Sequence, residues 1–169
     1  MSTNPFVAGP AVDPAALVKA NPEILSGARW FWWIAGLSLI NTVMIHSGSE
    51  VSFIIGLGFT LVADSIFREY QLIAFAIDAV ALGMFFTFGW FAARGHRWAF
   101  ITGAAIYTAD ALIYVFFSDW MPVALHGLAL FYIVRGVIKL NDGLKLAREA
   151  ALTTVTTEPP IVPPPVVGA

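Results

Sequence analysis

Long apolar segments separated by short polar stretches are the dominant pattern along this chain. Four of these segments lie at about 30–47, 71–93, 97–117 and 121–140. Each has a length that can cross a bilayer as a helix, which takes about 17–25 residues. Because the polar stretch between the second and third segments is very short, these two helices are expected to form an antiparallel hairpin. The pattern predicts an all-α membrane protein, with a four-transmembrane-helix bundle within residues 22–150.

A fifth apolar segment, residues 51–67, leaves open whether the chain crosses the membrane four or five times. It is at the lower limit of spanning length and contains Asp64. If it does not cross, one side of the membrane holds seven of the nine Lys and Arg residues, namely Lys19, Arg29, Arg94, Arg97, Lys139, Lys145 and Arg148. Basic residues accumulate on the cytoplasmic side, which favours this arrangement. We therefore expect an interfacial or re-entrant helix at about 50–70, lying in or dipping into the outer leaflet, with both termini in the cytoplasm.

The two ends of the chain are rich in proline. Residues 1–21 have no continuous apolar run, and residues 151–169 include EPPIVPPP. Such sequences cannot bury enough apolar surface to build a core, so both are predicted to be disordered tails. Asn21 as N-cap and Pro22 as first helical residue predict the start of the bundle.

Asp110 stands out because it lies inside the third predicted span. On a helix it shares one stripe with Gly103, Tyr107 and Tyr114. An ionisable group at this depth is costly unless it faces protein or water. Asp78 of the second span is predicted at the same depth, about 10 Å below the outer surface. The two carboxylates are therefore expected to be level across the hairpin.

Two histidines and three carboxylates are expected to converge in the outer half of the bundle, namely His46, Glu50, Asp78, Asp110 and His126. The chain has no cysteine, and these side chains are the ligands that zinc, manganese or iron would accept, so the cluster is a candidate site for a divalent metal ion or for protons. The preferred interpretation is structural, with the acids hydrogen-bonded between helices. Haem held by His46 and His126 is a weaker alternative, because the nearby acids suit a macrocycle poorly.

Composition supports membrane insertion and argues against nucleic acid. Hydrophobic residues make up 59% of the chain and charged residues 12%, and the mean hydropathy is +0.79. The net charge is only −2, and no Lys/Arg cluster is present to contact phosphates. Arg135, a base within the last span, is expected to extend to the cytoplasmic headgroups, with an ion pair to an acid as the alternative.

Three stretches of the sequence are similar to segments of other proteins, namely RWFWWIAGLSLIN, YTADALIY and DWMPVALHGLALFYIVRG. Together they resemble small multi-pass membrane proteins of bacteria, a group with no assigned activity. The resemblance implies a bacterial plasma (inner) membrane and supplies no catalytic residue. The expected function is a non-enzymatic scaffold or accessory subunit, in contact with lipid and with a membrane-protein partner or a second copy of the chain. The alternatives are a metal- or proton-linked transport protein and a membrane-embedded hydrolase using the His/Asp cluster.

Overall fold

The computed structural model describes residues 12–47, 57–67 and 69–157, and every regular element in these ranges is an α-helix. The helices are α1 (Pro14–Ala20), α2 (Pro22–His46), α3 (Gly58–Ile66), α4 (Gln71–Ala92), α5 (Arg97–Phe116) and α6 (Trp120–Thr157). The all-α prediction is confirmed. Within the described ranges three helices are long and apolar enough to cross a membrane, namely Leu72–Ala92, Arg97–Phe116 and Trp120–Thr153.

The start of α2 follows the capping signal in the sequence. The side chain of Asn21 accepts hydrogen bonds from the backbone N–H groups of Glu23, at 2.9 Å, and Ile24, at 3.4 Å. These N–H groups have no partner inside the helix, so the cap stabilises its first turn. Glu23 then lies beside the positive end of the helix dipole.

The prediction of a disordered N-terminal tail is wrong for residues 14–20, which form α1. Asp13 caps this helix by accepting a hydrogen bond from the N–H of Ala15 at 2.9 Å, and Pro14 occupies the first turn. Val18 is fully buried, and α1 packs against α2 and α6. The short helix is therefore ordered by a cap and by apolar burial, which its proline content conceals.

Helix α6 continues to Thr157, so residues 151–157, which were predicted to belong to the disordered C-terminal tail, are helical. Residues 158–169 lie outside the described part of the chain.

Aromatic rings and close glycine contacts hold the four long helices together. Phe31 of α2 lies 6.3, 6.0 and 6.1 Å, ring centre to ring centre, from Phe85, Phe88 and Phe100, respectively. Gly27 of α2 is so close to α6 that an added Cβ would lie 3.0 Å from the Cα of Gly136. Small residues at such crossings let two helix backbones approach closely.

The bundle has two ends, named here the turn end and the α3 end. The turn end holds the α4–α5 turn, where Gly95 contacts Pro14 and Arg97 donates to the side chain of Asn141 at 3.4 Å. The α3 end holds the start of α4 and the end of α5, about 30 Å away along two helices of some 20 residues. Helix α1 and the extension of α6 thus share the turn end with the α4–α5 turn.

Candidate functional site

A buried pair, Asp110 of α5 and His126 of α6, forms the centre of the polar interior. Nε2 of His126 lies 2.9 Å from Oδ2 of Asp110, and the two side chains are 0% and 4% exposed. Asp110 is six residues before the end of α5, or about 9 Å below the α3 end. The predicted convergence of an acid and a histidine from separate spans is therefore observed for Asp110 and His126.

Asp110 also holds the first turn of α3. Its Oδ2 accepts from the N–H of Gly58 at 2.9 Å, and its Oδ1 accepts from the N–H of Phe59 at 2.8 Å. The hydroxyl of Ser38 accepts from the N–H of Leu57 at 3.1 Å. Three successive N–H groups at the helix start are thus satisfied by side chains of α2 and α5. The carboxyl group of Asp110 lies at the positive end of α3, where acidic side chains are stabilising.

Two tyrosines pack around the imidazole. The ring of Tyr107 stacks on that of His126 with centres 4.2 Å apart, and the ring of Tyr114 lies 5.2 Å away and tilted. The imidazole is therefore enclosed by two aromatic rings of α5. The hydroxyl of Tyr107 is buried and has no hydrogen-bond partner within the described residues.

The contacts of His126 fix how many protons the pair contains. Nδ1 lies 2.8 Å from the carbonyl oxygen of Pro122, which can only accept, so Nδ1 carries a hydrogen. The contact from Nε2 to Asp110 then needs one more hydrogen, bonded either to the nitrogen of an imidazolium or to the oxygen of a carboxyl. In both forms the pair has no net charge, which lowers the cost of burying it.

Asp78 of α4 forms a polar contact with α2 that is separate from the Asp110/His126 pair. Its Oδ2 accepts from the hydroxyl of Thr42 in α2 at 2.8 Å, and the carboxylate is 1% exposed. A cavity of about 680 Å³ between α2 and α4 is lined by both residues and otherwise mainly by apolar side chains. The described contacts of Asp78 and Asp110 are therefore separate, although both residues are buried.

The structure brings together part of the predicted five-residue cluster. Asp110 and His126 meet, and Asp78 contacts Thr42 instead. The side chain of His46 and all of Glu50 lie outside the described part of the chain. Among the side chains that are described, no group of three His, Asp or Glu residues is arranged to hold a metal ion. The five-residue metal or proton cluster stays a prediction.

One feature of this interior was not predicted, and one ion pair outside it had been considered only as an alternative. The N-terminus of α3 as the partner of Asp110 was missed, although Gly58 marks the helix start in the sequence. Arg135 forms an ion pair with Glu23, and Lys139 approaches the same carboxylate at 3.9 Å. This contact is the alternative considered for Arg135, and it joins α2 to α6 towards the turn end.

Comparison of the chain with protein-family models, with curated proteins and with solved structures finds no match.

Proposed function

We propose that this protein is a small integral membrane protein with four spans, α2, α4, α5 and α6, and that it acts as a non-enzymatic scaffold or accessory subunit. Its polar interior serves to hold the short helix α3 in a fixed position in the bundle. The membrane would be a bacterial plasma membrane, with the turn end in the cytoplasm.

The observation that carries this proposal is the set of contacts made by Asp110. Its two oxygens accept hydrogen bonds from the N–H groups of Gly58 and Phe59, and a third hydrogen bond joins Oδ2 to Nε2 of His126. The bonds from Gly58 and Phe59 anchor α3 to α5, and the bond to His126 joins α6 to α5. A carboxylate used in this way contributes to the position of helices, as polar groups between membrane helices commonly do.

The position of α3 supports a helix that dips into the bilayer from the α3 end. Its first N–H groups bond to Asp110 at a depth of about 9 Å. Its nine residues extend about 13 Å, which is more than this depth, so α3 is long enough to return to the α3 end. Phe59 and Ile66 are 49% and 68% exposed, which suits contact with lipid.

Metal analysis tests the function. We expect the purified wild-type protein to contain no stoichiometric metal, and an Asp110→Asn variant to lose stability while its assembly with other membrane components persists in proportion to the folded protein. Asp78→Asn is the matched control, because it removes a buried carboxylate that accepts a hydrogen bond from Thr42 of α2. One bound zinc, manganese or iron per chain, lost in both variants, would contradict the proposal and favour a metal-linked transport protein.

Cysteine labelling tests the topology without background, because the chain has no natural cysteine. Tyr70→Cys at the α3 end and Arg148→Cys beyond the turn end are both at exposed positions. An impermeant maleimide applied to intact cells is expected to label the first variant only. Labelling of both from outside would rule out the four-span arrangement, and labelling of Arg148→Cys alone would invert it.

A further inference from the structure

The cavity between α2 and α4, named here the α2/α4 cavity, combines apolar walls with one carboxylate among its described lining residues. Its volume is about 680 Å³, and three of its ten lining residues are polar, namely Thr42, Ser47 and Asp78. Small organic ligands occupy cavities of this size and composition. We propose that the α2/α4 cavity binds an organic ammonium ion with an apolar body, attracted by Asp78. This site goes beyond the scaffold role, and Asp110 does not line it.

The carboxylate divides the cavity along the helix axes. Asp78 lies seven residues after the start of α4, or about 10 Å from the α3 end. Ser47 lines the cavity nearer that end, whereas Gly83 and Phe86 line it about 8 and 12 Å deeper than Asp78. A ligand can therefore place its charged group near Asp78 and extend its apolar body towards the middle of the bundle.

The surroundings of Asp78 favour a cation over a neutral molecule of the same shape. The residue is 1% exposed, and Oδ2 accepts a hydrogen bond from the hydroxyl of Thr42. Attraction between opposite charges is much stronger away from water than in it. A neutral apolar molecule, such as a lipid chain, gains no such attraction and leaves the carboxylate facing hydrocarbon, which is costly.

The lining also favours an organic cation over a metal ion. A divalent metal ion needs several oxygen or nitrogen ligands, or must keep its own water, and the walls around Asp78 are mainly apolar. An ammonium nitrogen that carries organic groups holds little water and can be attracted without direct ligation. Phe75 and Phe86 also line the cavity, and the faces of aromatic rings attract such cations.

The cavity is open towards the side of the bundle that would face lipid. Two of its lining residues, Val43 and Phe75, are 60% and 55% exposed. An ion with an apolar body concentrates in the bilayer, because removing that body from water is favourable. The ligand is therefore expected to enter sideways from the membrane.

Two neighbouring cavities of similar volume lack this combination. The cavity of about 670 Å³ between α3 and α4 is lined by apolar residues alone. The cavity of about 520 Å³ between α3 and α5 includes Asp119 in its lining, but this residue is exposed, and water weakens its attraction for a cation. The first therefore suits lipid chains, and the second holds its acid at the surface.

Two probes of the same shape test the requirement for charge. Phenyltrimethylammonium has a positively charged nitrogen where tert-butylbenzene has a neutral carbon. Equilibrium dialysis of the full-length protein in lipid nanodiscs, corrected for empty nanodiscs, measures binding of the radiolabelled cation. We expect one saturable site per chain, from which tert-butylbenzene displaces the label about tenfold less well than unlabelled cation does. Binding equal to that of empty nanodiscs, or equal displacement by both compounds, would overturn the proposal.

Two substitutions separate the charge from the space. Asp78→Asn keeps the size of the side chain and should weaken binding of phenyltrimethylammonium about tenfold or more. Gly83→Leu should weaken it by a similar factor, because an added Cβ meets nothing within 4 Å and the side chain can fill the deep part of the cavity.

The matched control for Gly83→Leu is Gly36→Leu. An added Cβ at Gly36 also meets nothing within 4 Å, and this residue does not line the cavity. Its affinity for the cation should stay within about twofold of wild type. Unchanged affinity in Asp78→Asn or in Gly83→Leu, or equal losses in Gly83→Leu and Gly36→Leu, would place the cation elsewhere and contradict the proposal.

Proton NMR of the wild-type protein locates the cation without any variant. Nuclear Overhauser effects are expected from the N-methyl protons of the bound probe to the methyl group of Ala79 and to the ring of Phe86, which line the cavity. Leu128, at an exposed position of α6, is the reference and should show none. Equal effects at Leu128 would indicate adsorption to the lipid-facing surface, and the proposal would then be wrong.

Discussion

The two ends of the bundle close their helices with the same backbone motif but with different residues. At the turn end, Gly95 has φ +79° and lies in the left-handed region after α4, with hydrogen bonds from its own N–H and from that of His96 back into the helix. At the α3 end, Ser118 has φ +57° after α5, with equivalent bonds from its own N–H and from that of Asp119. Glycine adopts this conformation without strain, whereas serine does so at a cost.

The same contrast extends into the interior. Towards the turn end, α2 and α6 meet at Gly27 and Gly136, and rings pack around Phe31. Towards the α3 end, the helices meet through buried polar groups, among them Asp110 and His126, whose side chains are 4% and 0% exposed. Lipid offers helices no hydrophobic drive to associate, so both kinds of contact can hold a bundle. The turn end is therefore joined mainly by close packing. The α3 end instead contains ionisable side chains, which cost free energy to bury in a membrane and often mark functional sites.

Removing the carboxylate at the α3 end should have the largest effect. Asp110→Ala leaves the amides of Gly58 and Phe59 and the imidazole of His126 without their partner, so we expect the free energy of unfolding to fall by about 3–5 kcal/mol. Tryptophan fluorescence during denaturation in mixed micelles measures this change in the free energy of unfolding. Asp119→Ala, at an exposed acid nearby, should change stability by no more than about 0.5 kcal/mol. Equal effects of the two substitutions would mean that buried polar contacts do not hold this end.

A methyl group at the glycine crossing tests the packing towards the turn end. In Gly27→Ala the new Cβ would lie 2.8 Å from the carbonyl oxygen of Tyr132, so α2 and α6 must separate. The expected loss is about 1–3 kcal/mol in the same assay. Gly127→Ala is the control, because an added Cβ there meets nothing within 4 Å. If both variants unfold alike, close backbone contact is not what joins these helices.

The two caps should respond in opposite directions. Gly95→Ala places a side chain in the left-handed region and 2.6 Å from the Cβ of Pro14, and should cost about 1–2 kcal/mol. Ser118→Gly relieves the corresponding strain and should raise stability by up to about 1 kcal/mol. Thermal unfolding of each variant, compared with wild type, gives the sign of the two changes in stability. A destabilised Ser118→Gly variant would show that the serine side chain, and not the backbone, matters at this cap.

Local signals in the sequence were sufficient to find the long helices. The third span was expected at 97–117 and α5 is Arg97–Phe116, because apolar runs and short turns determine such boundaries. Asn21 and Pro22 likewise indicated where α2 begins. The cap Asp13 and Pro14 carried the same kind of signal for α1, and the surrounding proline-rich composition masked it.

The contacts of the polar interior could not be predicted in the same way. Asp110 and the N–H of Gly58 are separated by 52 residues, and no local pattern records which helix start a carboxylate caps. Asp78 and Asp110 were expected to be level, but depth along a helix does not determine the direction in which a side chain points. Rotation of α4 and α5 about their axes places them in separate contacts, with Thr42 and His126.

The position of α1 implies an order of assembly. Of the described helices this one is synthesised first, yet it packs against α6 as well as α2, and Pro14 contacts Gly95 in the α4–α5 turn. Its docking surface is complete only after α6 has left the ribosome and joined the bundle. Among the described helices, α1 is thus synthesised first but docks late. Its docked state can be used as a sign that α2 and α6 have assembled.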